Sequence, residues 1–250
     1  MMLLQAAING SRAPAEHPAL PARPDQLAAA AKACVAAGAG AIHFHVRSED
    51  GRESLSAPDV ARAVSAVRTG CRGTPIGIST GAWIEPDPDR RLAQVRRWHI
   101  LPDFASVNFH EPGAVEIAEE LLELGVGVET GLSDVDGAEL LVRSLLEDRC
   151  LRVLLEPQEP DPAAALETVS AIERLLGDYA SDGTPRLLHG VDATAWPFLR
   201  EAARRGYDAR IGLEDTLRLP GGEPPGDNLD LVKAARAWIS GVARDSVSRA

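Results

Sequence analysis

The 250-residue sequence is poor in aromatic residues and cysteine, carries no excess of positive charge and contains no long apolar run. Aromatic residues make up only 4% of a chain that is 45% hydrophobic, so its core is built mainly from Ala, Leu and Val. With 25% of residues charged, this is ordinary globular composition and argues against disorder. The three cysteines, Cys34, Cys71 and Cys150, are odd in number, widely separated and without C-x-x-C spacing. They read as buried thiols in a reducing compartment. Acidic residues outnumber basic ones by 37 to 26, for a net charge of −11. The missing basic field argues against non-specific nucleic-acid or anionic-membrane binding, although a small anionic ligand answers to local arginines. No segment approaches the roughly eighteen apolar residues of a membrane span. The opening Met1–Ile8 lacks a basic leader and is too short for a signal segment, so a soluble, cytoplasmic protein is expected.

What is present is an alternation repeated eight times. Short Val-, Ile- and Leu-rich runs are expected as strands at Leu3–Asn9, Ala41–Arg47, Pro75–Thr80, Phe104–His110, Gly125–Gly131, Leu151–Glu156, Arg186–Gly190 and Asp208–Asp215. Helical periodicity follows each one, at Asp25–Ala37, Ala57–Thr69, Asp87–Arg97, Ala114–Leu124, Gly137–Glu147, Asp161–Leu176, Ala195–Arg205 and Asp227–Val242. Early Pro or Asp residues mark several helix starts, and Gly38, Gly125, Gly177 and Gly206 mark ends. Strands joined by helical crossovers form a parallel sheet, and eight such units at this length close into a (β/α)8 TIM barrel occupying residues 1–250 as a single domain. An open doubly wound sheet would want a glycine-rich phosphate turn after the first strand. The segment Asn9-Gly10-Ser11-Arg12 contains no G-x-G-x-x-G.

Alternate residues of a strand face opposite sides. In the second strand Ile42, Phe44 and Val46 face the helices, leaving His43, His45 and Arg47 inside. The same pattern puts Ser106, Asn108 and His110 inside on the fourth strand, Glu129 on the fifth, and Arg210, Gly212 and Glu214 on the eighth. Barrel interiors are normally filled by branched apolar side chains, so ionisable groups at the C-terminal strand ends suggest a site. Two imidazoles two residues apart on one strand face can reach a single cation. A carboxylate from another strand, for which Glu214 is the candidate, completes a His2Glu set with positions left for substrate. The competing reading is a pair of hydrogen-bonded core histidines.

Asp215 is a candidate general base or a loop aspartate, and Arg210 either holds a substrate carboxylate or pairs with Glu129 or Glu214. Glu129 is a substrate contact or a supporting partner. Ser79 and Thr80 end the third strand with hydroxyls suited to an anion, in a loop composition that is common. His110 and Glu156 are weaker candidates at the barrel mouth, His17 is expected at the surface, and His99, His189 and the four tryptophans are expected to be structural.

These positions resemble the β-keto acid cleavage enzymes. The resemblance is carried by Ala7-Ile8-Asn9-Gly10, His17-Pro18-Ala19-Leu20-Pro21, His43-Phe44-His45-Val46-Arg47, Ile78-Ser79-Thr80-Gly81, Ser106-Val107-Asn108-Phe109 and Arg210-Ile211-Gly212-Leu213-Glu214-Asp215. It implies a Zn2+-dependent TIM barrel that condenses a β-keto acid with acetyl-CoA as cosubstrate, giving acetoacetate and a new acyl-CoA. It further implies His43, His45 and Glu214 as zinc ligands, Asp215 as base with Arg210 as its supporting cation, substrate-side roles for Ser79 and Glu129, and a homo-oligomer. Thr80, Asn108 and Arg47 are expected as further substrate contacts. The chain departs from the family pattern at Ser48, at His110-Glu111-Pro112, at Thr216 and across Leu151–Pro160. Two alternatives are a metal-dependent aldolase or hydrolase on the same barrel, with Glu156 or Asp215 as base, and a non-catalytic barrel that binds a small acid.

Overall fold

The structure, a computed structural model, describes residues 2–179 and 183–247. Eight parallel strands close a barrel in chain order: β1 (Leu4–Ala7), β2 (Ala41–Phe44), β3 (Ile76–Ser79), β4 (Phe104–Asn108), β5 (Gly127–Leu132), β6 (Arg152–Leu155), β7 (Arg186–Leu188) and β8 (Asp208–Ile211). The helices between and after them are α1 (Pro24–Ala36), α2 (Ala57–Gly70), α3 (Pro88–Val95), α4 (Ala114–Glu123), α5 (Val135–Ser144), α6 (Pro162–Tyr179), α7 (Ala195–Arg205) and α8 (Asn228–Val247). This is the expected (β/α)8 barrel. Among the described residues no helix is long and apolar enough to cross a membrane.

Helix starts follow local chemistry. The Ser56 hydroxyl accepts from the Asp59 amide at the head of α2, Asp87 accepts from the amides of Asp89 and Arg90 at α3, and Asp134 accepts from Gly137 at α5. The Asp134 cap starts α5 two residues earlier than the periodicity suggests. The strands bury their outward faces, among them Ile42, Phe44, Ile76, Ile78, Val107, Val128, Val153 and Ile211, against the helices. The three cysteines lie buried as free thiols, as their spacing implied.

The inside of the barrel is polar for two separate reasons. Towards the N-terminal ends of the strands, Gln5 Nε2 donates to Glu129 Oε1 at 2.7 Å, Arg152 Nε lies 3.2 Å from the same oxygen, and Arg152 Nη1 reaches Asp208 at 3.1 Å. Burial pushes the Glu129 carboxyl upward while Arg152 and Gln5 oppose it. This buried cluster takes the place of the branched side chains a barrel usually packs there. At the C-terminal ends, the inward groups belong to the candidate site.

The departure from the expected elements that shapes the site is at β8, which stops at Ile211 instead of running to Asp215. Residues 212–216 turn tightly, with the amides of Asp215 and Thr216 both donating to the Gly212 carbonyl at 3.0 Å. The turn is tied down by Glu214 N–H to the Ala7 carbonyl at 3.2 Å and by Leu213 N–H to Asn228 Oδ1 at 2.8 Å. A continuous strand would have sent Glu214 and Asp215 to opposite faces. Gly212 permits the turn because a Cβ there would lie 1.8 Å from the Ala7 carbonyl oxygen. Gly10, at φ +61°, likewise leaves room for the Glu214 side chain. Gly212→Ala is therefore expected to destabilise the fold by about 2–3 kcal/mol, because the clash is with backbone and no rotamer relieves it. A chemical denaturation curve checks this, and a midpoint unchanged from wild type contradicts it.

Candidate metal centre and active site

His43 lies on β2 and His45 just beyond its end, still following the pleat, while Glu214 arrives from the turn after β8. One ligating atom from each lies within 4.8 Å of the others. His43 Nε2 is 3.6 Å from Glu214 Oε2, and His45 Nε2 is 3.5 Å from Glu214 Oε1. Both ring nitrogens of His43 and Oε2 of Glu214 are buried without any hydrogen-bond partner. Buried polar atoms are normally paired, so the unpartnered His43 Nε2 and Glu214 Oε2, facing each other at 3.6 Å beside His45 Nε2, fit a cation. Two neutral imidazoles and a carboxylate are a donor set suited to a divalent transition metal.

The second histidine is held in place from behind. His45 Nδ1 meets Glu53 Oε1 at 2.5 Å, which turns Nε2 towards Glu214. Asn9 clamps the His45 main chain in both directions, accepting from its amide at 2.8 Å and donating to its carbonyl at 2.9 Å. The other Glu53 oxygen accepts from Trp83 Nε1 at 3.0 Å, and the Trp83 indole stacks on the His45 ring at 5.9 Å. Burial drives the His43 imidazole down to about 3, so it is neutral and keeps one nitrogen lone pair free. Burial acts on His45 in the same direction, but Glu214 and Glu53 outweigh it and lift that ring to about 9.

Arg210 joins this centre to a second carboxylate. Its Nη2 lies 2.7 Å from Glu214 Oε1 and donates at the same distance to Asp215 Oδ1, which also accepts from Nε at 3.1 Å. Burial works against the Glu214 charge, but Arg210, His45 and His43 together hold its carboxyl well below the usual range. Asp215 has no exposed surface, and burial raises its carboxyl even against Arg210 and His189. Its Oδ2 has no hydrogen-bond partner. Two adjacent carboxylates thus have opposite tendencies, one held in its charged form and the other more basic than an ordinary aspartate.

A cavity of about 390 Å³ opens over these groups at the C-terminal end of the barrel. Ser79 and Asn108, with His110 and Glu156, share its wall with the three ligand residues and Arg210. Asn108 donates to Glu111 at 2.9 Å, and Glu111 is in turn held 3.4 Å from the buried Arg91 guanidinium. The other expected contacts lie elsewhere. Thr80 donates to the Ser106 carbonyl at 2.7 Å, and Arg47 is spent on the carbonyls of Gly10, Arg12 and Gly51. Glu129 lies in the Gln5–Arg152 cluster away from the cavity lining.

His17, expected at the surface, is instead buried, with its Nε2 3.0 Å from the Pro225 carbonyl. The sequence reading also passed over His189, Glu53 and Trp83. His189, at the end of β7, lies 3.2 Å from Glu156 and 3.6 Å from Asp215. Its place after the apolar run Arg186–Leu188 was the available signal, since the same pleat argument that singled out His110 applies to it.

A barrel carrying this two-histidine, one-carboxylate centre at its C-terminal mouth belongs to the beta-keto acid cleavage enzyme family, whose model matches residues 2–131 and 153–250. The chain is 24% identical over 251 residues to the 3-keto-5-aminohexanoate cleavage enzyme of Acetoanaerobium sticklandii, covering 93% of this chain and 89% of that protein. It is also 24% identical over 248 residues to the enzyme of the same name from Fusobacterium nucleatum, with the same coverage. Among solved structures, the apo structure of ObcA superposes with a TM-score of 0.70 at 18% identity, over 90% of this chain and 63% of that one. A dihydrodipicolinate synthase from Agrobacterium tumefaciens superposes with a TM-score of 0.57 at 17% identity, over 98% of this chain and 78% of that one. At these identities the two structures share the fold.

A cation taken up between His43, His45 and Glu214 would have to compete with the proton on His45. The raised value of that residue, about 9, means that the metal-free ring holds a proton at neutral pH, and a cation has to displace it. His43, down at about 3, releases none in that range. Affinity for Co2+, used as a spectroscopic probe, is expected to rise about tenfold per pH unit between roughly pH 7 and pH 9 and to level off above, with Glu214→Ala abolishing it. Affinity independent of pH across that interval contradicts the assignment.

Proposed function

We propose that this protein is a Zn2+-dependent β-keto acid cleavage enzyme using acetyl-CoA, with acetoacetate and a new acyl-CoA as products. The observation that carries this reading is the convergence of His43, His45 and Glu214 beside the Arg210–Asp215 pair under one cavity. When bound, the zinc supplies Lewis-acid polarisation of the keto and carboxylate oxygens of the substrate.

The bond accounting defines what the side chains do. Acetoacetate formed this way keeps the carboxylate and adjacent methylene of the β-keto acid and gains the acetyl group of acetyl-CoA. The methylene must therefore lose a proton, form a bond to the acetyl carbon, part from its original keto carbon and regain a proton, while the CoA thiolate passes to the released acyl group. Asp215 is the base in this reading. Its Oδ2 is unpartnered, burial raises its carboxyl, and Arg210 holds Oδ1. Arg210 also keeps Glu214 ionised beside Asp215, so the ligand and the base do not compete for one proton. Ser79 and Asn108 offer a hydroxyl and an amide to substrate oxygens from the cavity wall. Thr80, Arg47 and Glu129 act through the frame, by holding the Ser106 carbonyl, the first loop and the barrel interior.

A panel of β-keto acids assayed with and without acetyl-CoA tests the reading directly. Acetyl-CoA-dependent acetoacetate formation is expected. Turnover without acetyl-CoA would instead favour the aldolase or hydrolase reading. In the same assay Asp215→Asn is expected to retain metal while losing about 10²–10⁴-fold in kcat, the usual contribution of a general base. Full turnover in that variant removes Asp215 from the role.

A further inference from the structure

The base has a neighbour that the chemistry above does not use. His189 Nε2 is hydrogen-bonded to Glu156 Oε2 at 3.2 Å, while its Nδ1 is left without a hydrogen-bond partner, with Asp215 Oδ1 facing it at 3.6 Å. Asp215 is fully buried and His189 nearly so, whereas Glu156 lines the cavity. The backbone around this row is pinned. The His189 amide donates to the Leu155 carbonyl at 3.2 Å, next to Glu156, and the Asp192 amide donates to the Asp215 carbonyl at 2.6 Å. Arg12 then spans the two loops, 2.6 Å from Asp192 and 3.2 Å from the Glu214 carbonyl.

Arg210 alone leaves one freedom in the Asp215 side chain. Both of its bonds end on Oδ1, so they work as a pivot about which the carboxylate can turn while keeping its ion pair. His189 stands on a different element from Arg210, its ring oriented by Glu156, and its Nδ1 has no hydrogen-bond partner and faces that same oxygen at 3.6 Å. A carboxylate oxygen takes its donors near its own plane, so a donor reaching Oδ1 from His189 as well as from Arg210 fixes that plane, and with it Oδ2. We propose that His189 is a positioning residue for Asp215, clamped in place by Glu156, and that the pair fixes the direction of the unpartnered Oδ2. The proposal rests on the reading of Asp215 as the base. Small errors in the placement of a reacting group cost up to about a hundredfold in rate, which sets the size of the expected effect.

The experiment compares H189L, H189N, E156Q and E156A in the zinc-loaded enzyme, measuring kcat, KM for the β-keto acid, metal content and melting temperature. H189L is expected to lose about 10–100-fold in kcat with KM and metal content within about twofold of wild type. H189N, whose amide keeps a polar group towards Asp215, is expected to recover much of that loss. E156Q keeps an acceptor for Nε2 and is expected to stay near wild type, while E156A falls part of the way towards H189L. In a D215N background the His189 substitution is expected to add nothing further, because residues acting as a unit are non-additive. An H189L enzyme with wild-type kcat overturns the proposal, as does an E156Q enzyme as slow as D215N, which would make Glu156 itself the acid–base group. If H189L melts early, H189N and E156Q still decide: H189N no faster than H189L overturns the proposal. A wild-type protein inactive on the whole β-keto acid panel overturns the parent reading and this one with it. An active wild type with an indifferent His189 overturns this one alone.

Discussion

The site depends on one buried guanidinium. Arg210 projects inward from β8 and meets two consecutive carboxylates, Glu214 and Asp215, within 2.7 Å each. Two such groups side by side in a low-dielectric interior would otherwise suppress each other's charge. With Arg210 between them the charge goes to Glu214, which also has the two histidines, and Asp215 is left as the more basic partner. Removing one member of a buried pair of this kind leaves an uncompensated charge at a cost of about 3–5 kcal/mol, so the arrangement is held in place by the same electrostatics that divide its roles.

That pairing needs the chain to leave the β8 ladder early. A strand presents alternate residues to one side, and consecutive Glu and Asp can share a cation only where the pleat is broken. The break is made by Gly212 against the Ala7 carbonyl, and Asn228, at the start of α8, spans the turn and β1 by bonding Leu213 N–H and the Ile8 carbonyl at 2.8 Å each. The closing of the barrel and the shaping of the site are thus one event. The contact that joins the last strand to the first also sets the height at which Glu214 meets His43 and His45.

The alternation of apolar and polar residues was enough to find the barrel and to put His43, Asn108 and Arg210 on its inner face, because period-two patterning is a property of the chain alone. It was also enough to single out Glu214 and Asp215, though by a strand that in fact ends at Ile211. Tight turns depend on what the backbone packs against, and the Ala7 carbonyl lies some two hundred residues away in the chain. Pleat alone could not separate the two kinds of inward polar residue. Glu129 and Asn108 have the same pattern, yet one is neutralised by Arg152 in the barrel interior and the other lies at the mouth. His189 and Glu53 were missed for a related reason. His189 is a single polar residue after an apolar run and Glu53 is one of several in the polar loop Ser48–Ser54, and each matters only through a side chain brought to it by the fold.

The charge balance of the cavity is what makes the proposed cation useful. The chain carries a net −11, and a β-keto acid is itself an anion. Around His43 and His45 three carboxylates, Glu214, Asp215 and Glu53, stand against the Arg210 guanidinium and the His45 proton, and across the cavity Glu111 is cancelled by Arg91 while Glu156 faces the neighbouring His189. A substrate carboxylate entering this arrangement would meet no surplus of positive charge. A divalent ion between His43, His45 and Glu214 reverses that sign locally without changing any side chain. In the proposed reaction the field that draws in the substrate and the polarisation that acidifies its methylene would come from one source, beside Asp215, whose carboxyl burial raises.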